Sequence, residues 1–478
     1  MNSSKSTNWA QFLPLVTVFF FWGFVAASND ILIPVFKKSF DLINWQSQLV
    51  SVAFYVAYTF GAILYMLISF GLKKDIVKSL GYKNSLSLGL LISALGTLLF
   101  YPAANMNSFT LMLSGLFIVG LGFSLQQTVA NPLAIALGSS STGSQRLTLA
   151  GGINNFGTTI GPLIITFAIF GSNSNSNTVI DLNTLKLPYL IIGLAFAFVA
   201  VLLKFSKLPN NFEEDKSVQN EDNNSKKSAL HYPQLLLGMF AIFVYVGVEV
   251  STASNMPAYL EHDLGMSISD IAPFVSLYWA SLMIGRWTGA AEVFSSNPMI
   301  LKLLKFILPF LAFGVFLVAS AIAGKDLKPF YIYSVIILVL IFADLISKGN
   351  PAHMLLIFSS LGIASLVVGM FTNGMISVYL FISVGLFCST LWPCIFSLAI
   401  SGLGNKTTQG SNFLIMMIMG GGLISWLQGF VADLTSAHFS YIVGVFCFAY
   451  LAFYASYVQK LFKRKGISLS YSNKSNSH

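Results

Sequence analysis

The sequence predicts an all-α polytopic membrane protein, and three observations carry that prediction. Of 478 residues, 55% are hydrophobic and 14% aromatic, while only 9% are charged, against about 25% in an ordinary soluble domain. Uncharged runs of membrane-crossing length recur from one end of the chain to the other. The basic residues fall in short loops between those runs rather than on one face, so the net charge of +9 does not point to nucleic acid. The three cysteines, Cys388, Cys394 and Cys447, all lie in apolar runs without metal-ligand spacing. No metal and no cofactor are expected.

Taken in order, the apolar segments lie at roughly 12–36, 47–71, 84–103, 108–138, 146–170 and 187–207. The first carries Lys5, an apolar run and Ala26-Ala27-Ser28, which together mimic a cleaved leader. Its basic region is weak, however, and apolar character resumes immediately after Asp30. NNFEEDKSVQNEDNNSKKS, residues 210–228, then breaks the pattern. It has no apolar face and reads as a solvated linker. Eight more segments follow at roughly 233–260, 270–294, 300–323, 330–347, 352–371, 375–403, 409–432 and 438–462. The segment 330–347 is short and contains Asp344. The Ser/Asn-rich tail belongs to no span.

Charge placement tests the count of fourteen. With both termini in the cytoplasm, 21 Lys and Arg residues fall inside and only Lys37, Lys38, Lys186, Lys325 and Lys328 fall outside. Dropping either helix of the 300–347 pair would invert every later loop. The expected organisation is a six-helix bundle (9–208), a cytoplasmic linker (209–232), a second bundle (233–462) and a cytoplasmic tail (463–478). An internal repeat supports it. Gly23 matches Gly247 and Gly61 matches Gly285, each 224 residues on, whereas Pro132 pairs best with Pro393, 261 on. An extra helix pair at about 300–347 accounts for the jump. Parallel halves of this kind place a ligand site near the midplane.

Polar groups inside the membrane must be paired or wet, so they are the functional candidates. Asn29-Asp30 interrupts the first apolar run; Asp30 is either an interfacial cap or a cavity carboxylate able to take and release a proton. In SLQQTVANP (124–132), Gln127 and Asn131 are four residues apart, hence on one helical face. Together with Gln126 and Thr128 they are too many for packing alone, and amides suit polyhydroxyl ligands. In LAGGINNFGTTIG (149–161), Gly157 and Gly161 serve close helix packing, and Asn154 and Asn155 reach the space beside them. MGGGLISWLQG (419–429), with Gln428, is the analogue in the second half. YVGVEVSTASNMP (245–257) holds Glu249, the deepest acid of the second half, followed by Asn255. A buried glutamate is costly without a cation, and a partner on another helix would supply one.

Trp22, Tyr55, Tyr58, Trp279, Trp392 and Trp426 are candidates for stacking on a sugar face, although apolar lining and interface anchoring are commoner uses. Lys74 and Asp75 in GLKKDIVKSLGYK, together with Arg146 and Arg286, read as charged latches at inner helix ends.

At these motifs the chain resembles the fucose:proton symporter family of the major facilitator superfamily, most closely its bacterial glucose/galactose-type members. The carrying residues are NDILIP (29–34), LQQTVANP (125–132), GSQRLTLAGGINNFG (143–157), YVGVEVS (245–251), GRWTG (285–289) and GSNFLIMMIMGGG (410–422). The resemblance implies a major facilitator fold of two six-helix bundles, here with an inserted pair, working by alternating access. It implies hexose import coupled to a cation, usually a proton, in a bacterial cytoplasmic membrane. It also implies that Asp30 serves proton coupling and sugar binding and that Asn154 faces the sugar.

The departures matter too. Gln127 stands where the fucose permease has an acid, Gly151 where it has Gln and Ala27 where it has Asn, which speaks against L-fucose. Glu249 stands where that permease has an amide, so the expected coupling pair is Asp30 with Glu249. The expected substrate contacts are Asn29, Gln126, Gln127, Asn131, Asn154, Asn155, Asn255, Trp392, Asn412 and Gln428. The expected partners are a hexose, a proton or sodium ion and the lipid bilayer, for a monomeric chain. A drug:proton antiporter usually carries its extra pair between the halves, where this chain has 210–228. No metalloprotease or nucleophile-elbow motif points to an enzyme. A sugar sensor that binds without transport is separated by vesicle uptake.

Overall fold

The structure is a computed structural model that describes residues 7–72, 76–138, 143–170, 182–210, 229–289, 291, 297–347, 349–403 and 406–464. Most of the linker and tail, with Lys74 and Asp75, lie outside the described residues. Fourteen spans appear in order: α1 Trp9–Ser39, α2 Leu49–Gly71, α3 Tyr82–Asn105, α4 Phe109–Ala136, α5 Gly143–Phe170 and α6 Lys186–Phe205. Then come α7 Pro233–His262, α8 Ile268–Gly289, α9 Pro298–Ile322 and α10 Tyr333–Ser347. The last are α11 Pro351–Phe371, α12 Met375–Ile400, α13 Gly410–Leu434 and α14 Ile442–Arg464. Among the described residues, thirteen are apolar over a full span, and α2, apolar over Leu49–Tyr65, makes the fourteenth. Each of the segments expected from the sequence is a helix.

Helix starts follow local chemistry. Pro233, Pro298 and Pro351 open α7, α9 and α11, where a missing N–H costs nothing. Asn297 and Asn350 accept from the first backbone N–H groups of α9 and α11.

The packing repeats across the chain. In the first six helices α1 packs on α5, α2 on α4, and α3 on α4 and α6. In the second set α7 packs on α13, α8 on α12, and α11 on α12 and α14. Helices 1–6 thus correspond to α7, α8 and α11–α14, with α9 and α10 outside the scheme.

The matched glycines sit at these equivalent contacts. A Cβ on Gly23 would come 1.9 Å from the Asn154 carbonyl on α5, and one on Gly247 would come 2.5 Å from Ile424 on α13. Likewise Gly61 abuts Ser124 on α4, and Gly285 abuts Ser389 on α12. Without a hydrophobic drive between helices in lipid, such close helix packing is a main source of cohesion.

The inserted pair is fastened to the second set. The hydroxyls of Tyr333 and Ser281 lie 2.6 Å apart, joining α10 to α8. Phe330 packs edge-on against Phe274 of α8 and Phe316 of α9. Asp344 does not lie bare in its short helix; Lys305 of α9 is 3.1 Å from its carboxylate. Helix α9 also touches α5 of the first set.

The two sets meet along two seams, α5 against α8 and α2 against α13, and their outer ends are joined by polar contacts. Asp433 at the end of α13 accepts from the backbone N–H of Asn44 (3.0 Å) and Trp45 (2.8 Å) and from the Asn44 amide (2.7 Å). Lys38 pairs with Glu261 at 2.5 Å. Lys37 donates to Asn44 and lies 3.2 Å from His262. The Gln48 amide donates to the Ser254 carbonyl at 3.0 Å. This clasp joins the two sets at the ends that the charge pattern assigns to the outside.

Candidate functional site

The site lies between the sets and is built largely by α1, α2, α7 and α8. Asp30 is 3% exposed, and its Oδ2 accepts from the indole N–H of Trp279 at 2.7 Å. Asp30 therefore faces the second set. Among the described residues it has no ion-pair partner. Asn29 beside it is also buried, and neither amide atom has a partner. Unpaired amide groups so deep are costly unless a ligand or water meets them.

Glu249 on α7 is in a different situation. Its Oε1 is 3.5 Å from the Arg286 guanidinium, whose other nitrogen donates to Asn155 Oδ1 at 2.6 Å. Tyr278 donates to the Glu249 backbone carbonyl at 2.6 Å. Arg286, three residues from the end of α8, thus contacts both sets, Glu249 on α7 and Asn155 on α5. Helix α8 continues to Gly289 and turns Arg286 onto the face that carries Trp279, so the guanidinium supplies the cation that a buried glutamate needs.

Serine, tryptophan and arginine on α8 make one stripe. Ser276 donates to the Thr159 carbonyl at 2.5 Å, Trp279 to Asp30, and Arg286 to Asn155. Spacings of three and seven residues place all three on one helical face. That face reads the first set at α5, α1 and α5 again.

Aromatic and amide groups complete the wall. Tyr55 and Tyr58 of α2 lie with ring planes 19° apart and centroids at 6.2 Å. Tyr55 is in electrostatic reach of both Asp30 and Glu249. Gln127 donates to the Tyr58 hydroxyl at 3.4 Å, and half-buried Asn131 lies one turn further in on the same helix. Trp392 is half-buried, with its ring centroid 6.1 Å from Tyr245.

Other expected ligand contacts are committed elsewhere. Gln126 is fully buried inside the first set, accepting from Trp22 at 2.9 Å and donating to Ser93 at 3.1 Å. Adjacent residues on a helix point about 100° apart, so Gln126 and Gln127 serve different faces. Asn255 donates to the carbonyls of Ser251 and Ser425, tying α7 to α13. Gln428 donates to Ser440 within the second set. The Asn154 amide donates to the Phe19 carbonyl at 3.0 Å and fastens α5 to α1. Asn412 is exposed on the inner part of α13. Arg146 is buried and its Nε donates to the Ala134 carbonyl, an attachment of α5 to α4 within the first set.

Sequence reasoning missed Asp433, Lys38 and Glu261 as joining groups, and Tyr245 as a neighbour of Trp392. Their partners lie up to 389 residues away, beyond any local pattern.

Comparison with known proteins identifies the fold. Residues 48–343 match the model of the Major Facilitator Superfamily. The chain is 31% identical to a glucose/galactose transporter of Brucella abortus biovar 1, over 92% of each chain. It is 27% identical to the L-fucose-proton symporter of Escherichia coli, covering 93% of this chain and 92% of that one. The crystal structure of FucP in the outward conformation superposes with a TM-score of 0.61 at 26% identity, over 94% of this chain and 98% of that one. With thirteen full spans and the shorter apolar α2 among the described residues, the chain belongs to the Major Facilitator Superfamily, in the branch that holds these glucose/galactose transporters and L-fucose-proton symporters.

Proposed function

We propose that the protein imports a hexose of the glucose or galactose type together with a proton, by alternating access, across a bacterial cytoplasmic membrane. The relatives named above are sugar transporters, and their coverage of nearly the whole chain supports the same activity here. The observation that carries the coupling is Asp30. It is buried, it has a neutral N–H donor rather than a cation, and it lies where the two sets meet. Such a carboxyl can exist with or without its proton without leaving a stranded counter-charge.

The two acids then divide the work. Asp30 carries the proton, and Glu249 remains the counter-ion of Arg286. Gln127, Asn131 and the unpartnered amide of Asn29 offer donors and acceptors to sugar hydroxyls, and Trp392 offers a ring face. The two bundles are 9–208 and 233–462, joined by the linker 209–232, and the pair at 298–347 rides on the second. The clasp makes this the outer-closed member of the cycle, distinct from the outward conformation described for FucP.

The test is uptake into proteoliposomes of labelled glucose, galactose, mannose, N-acetylglucosamine and fucose, with an inward proton gradient and with or without sodium. Glucose or galactose should accumulate with the proton gradient, and Asp30→Asn should abolish accumulation. Full accumulation by Asp30→Asn, or uptake driven by sodium alone, would sink the proton scheme.

A further inference from the structure

We propose that Trp279 is the positioning residue that makes the proton affinity of the coupling carboxyl depend on which way the carrier faces. This inference rests on the reading of Asp30 given above. Trp279 belongs to α8 and Asp30 to α1, so their 2.7 Å hydrogen bond spans the two sets and exists only while those sets are closed together at this depth. An indole N–H is a donor and never an acceptor. It therefore stabilises the carboxylate more than the carboxylic acid.

The consequence is directional. In the outer-closed carrier, Trp279 presents its N–H to Asp30, favours the carboxylate and promotes proton release toward the cytoplasm. When the sets part on the outer side, α8 carries Trp279 away. Asp30 then exchanges this donor for water from the outside, from which it takes its proton. The proton leaves and rejoins the same Oδ atoms, and no other group changes its bonds.

Neighbouring groups do not duplicate this role. Of the titratable groups on α2, α7 and α8, Tyr55 is in electrostatic reach of Asp30 and also of Tyr58 and Glu249, while Tyr245, Glu249, Tyr278 and Arg286 interact with one another. Glu249 and Arg286 are paired, and Tyr278 is held by a backbone carbonyl. On α5 the charged residue is Arg146, fixed at Ala134; on α6 Lys186 and Lys204 bond Asn105 and Asn84, and Tyr189 stacks on Phe100. Helix α4 contributes no ionisable side chain. Ser276 and Arg286, on the same stripe, fix the depth at which the indole arrives.

The experiment compares wild type, Trp279→Phe, Trp279→Gln and Asp30→Asn in proteoliposomes. Two quantities are read: sugar counterflow at equal pH, and the pH midpoint of gradient-driven accumulation. Phe keeps a ring and loses the donor; Gln keeps an N–H donor without the ring. A hydrogen bond to a charged group typically shifts such a balance by roughly one pH unit. Trp279→Phe should therefore move the midpoint alkaline by about one unit with counterflow within about twofold of wild type. Trp279→Gln should stay within about half a unit. If Trp279→Phe fails to fold, the proposal stands or falls on the Gln variant against Trp279→Leu, judged on the same midpoint. An unchanged midpoint in the donor-free variant, with Asp30→Asn still abolishing accumulation, overturns the role of Trp279 alone. Accumulation that survives Asp30→Asn overturns the reading of Asp30 and this inference together.

Discussion

Removing Asp433 should open the outer face. This carboxylate holds three hydrogen bonds to the other set, from Asn44 N, Asn44 Nδ2 and Trp45 N, at 2.7–3.0 Å. It is solvent-exposed, so each bond contributes near the low end of the net range, about 0.5 kcal/mol. Asp433→Ala then costs the closed state about 1.5 kcal/mol, close to a tenfold change in the closed-to-open ratio. The exposed Lys38–Glu261 pair adds no more than about 1 kcal/mol, so Lys38→Ala alone should have the smaller effect. Spin labels on cysteines placed at Asp41 and Thr435, both exposed at the outer ends, would report the distance between the sets. Cys388, Cys394 and Cys447 are buried and need not be labelled. The open population should rise about tenfold in Asp433→Ala, with a further rise in Asp433→Ala/Lys38→Ala. An unchanged distance distribution in the folded double variant would refute the clasp.

Two stability predictions follow from packing. Gly157→Val places a branched side chain where even a Cβ would come 2.2 Å from the Phe20 carbonyl; it should cost several kcal/mol and lower the detergent Tm sharply, whereas Gly71→Ala, with open space around it, should be silent. Lys305→Met strands the 7%-exposed Asp344 and should destabilise by about 2–4 kcal/mol, while Lys305→Met/Asp344→Leu should recover most of the loss; equal Tm values for the single and double variants would show that the pair contributes nothing.

The spans were legible because apolar runs in a bilayer have few alternative structures. The repeat was legible through glycines, because Gly23, Gly61, Gly247 and Gly285 each allow a close approach of the neighbouring helix that a larger residue would block. Helical rotation was not legible. Helix α4 is apolar on most sides, so nothing in LQQTVANP says that Gln126 turns inward to Trp22 while Gln127 meets Tyr58. The partners of Arg286 were not legible for a related reason. The apolar run ends near it, which suggests an interface, yet its long side chain reaches Glu249 and Asn155. Asp433 looked like an ordinary surface acid because only folding brings it to Asn44.

Helix α9 gives the two seams different surroundings. At α5–α8 it lies against α8, touches α5, and presents Leu303, Phe306, Leu311 and Val318 outward. At α2–α13 no comparable helix stands over the join among the described residues. As the sets rock, lipid tails can follow the uncovered edge, while the covered edge slides beneath a strip anchored to one side only. The carrier is thus built like a door with weatherstripping along one jamb, and the bilayer will resist its motion unequally on its two flanks.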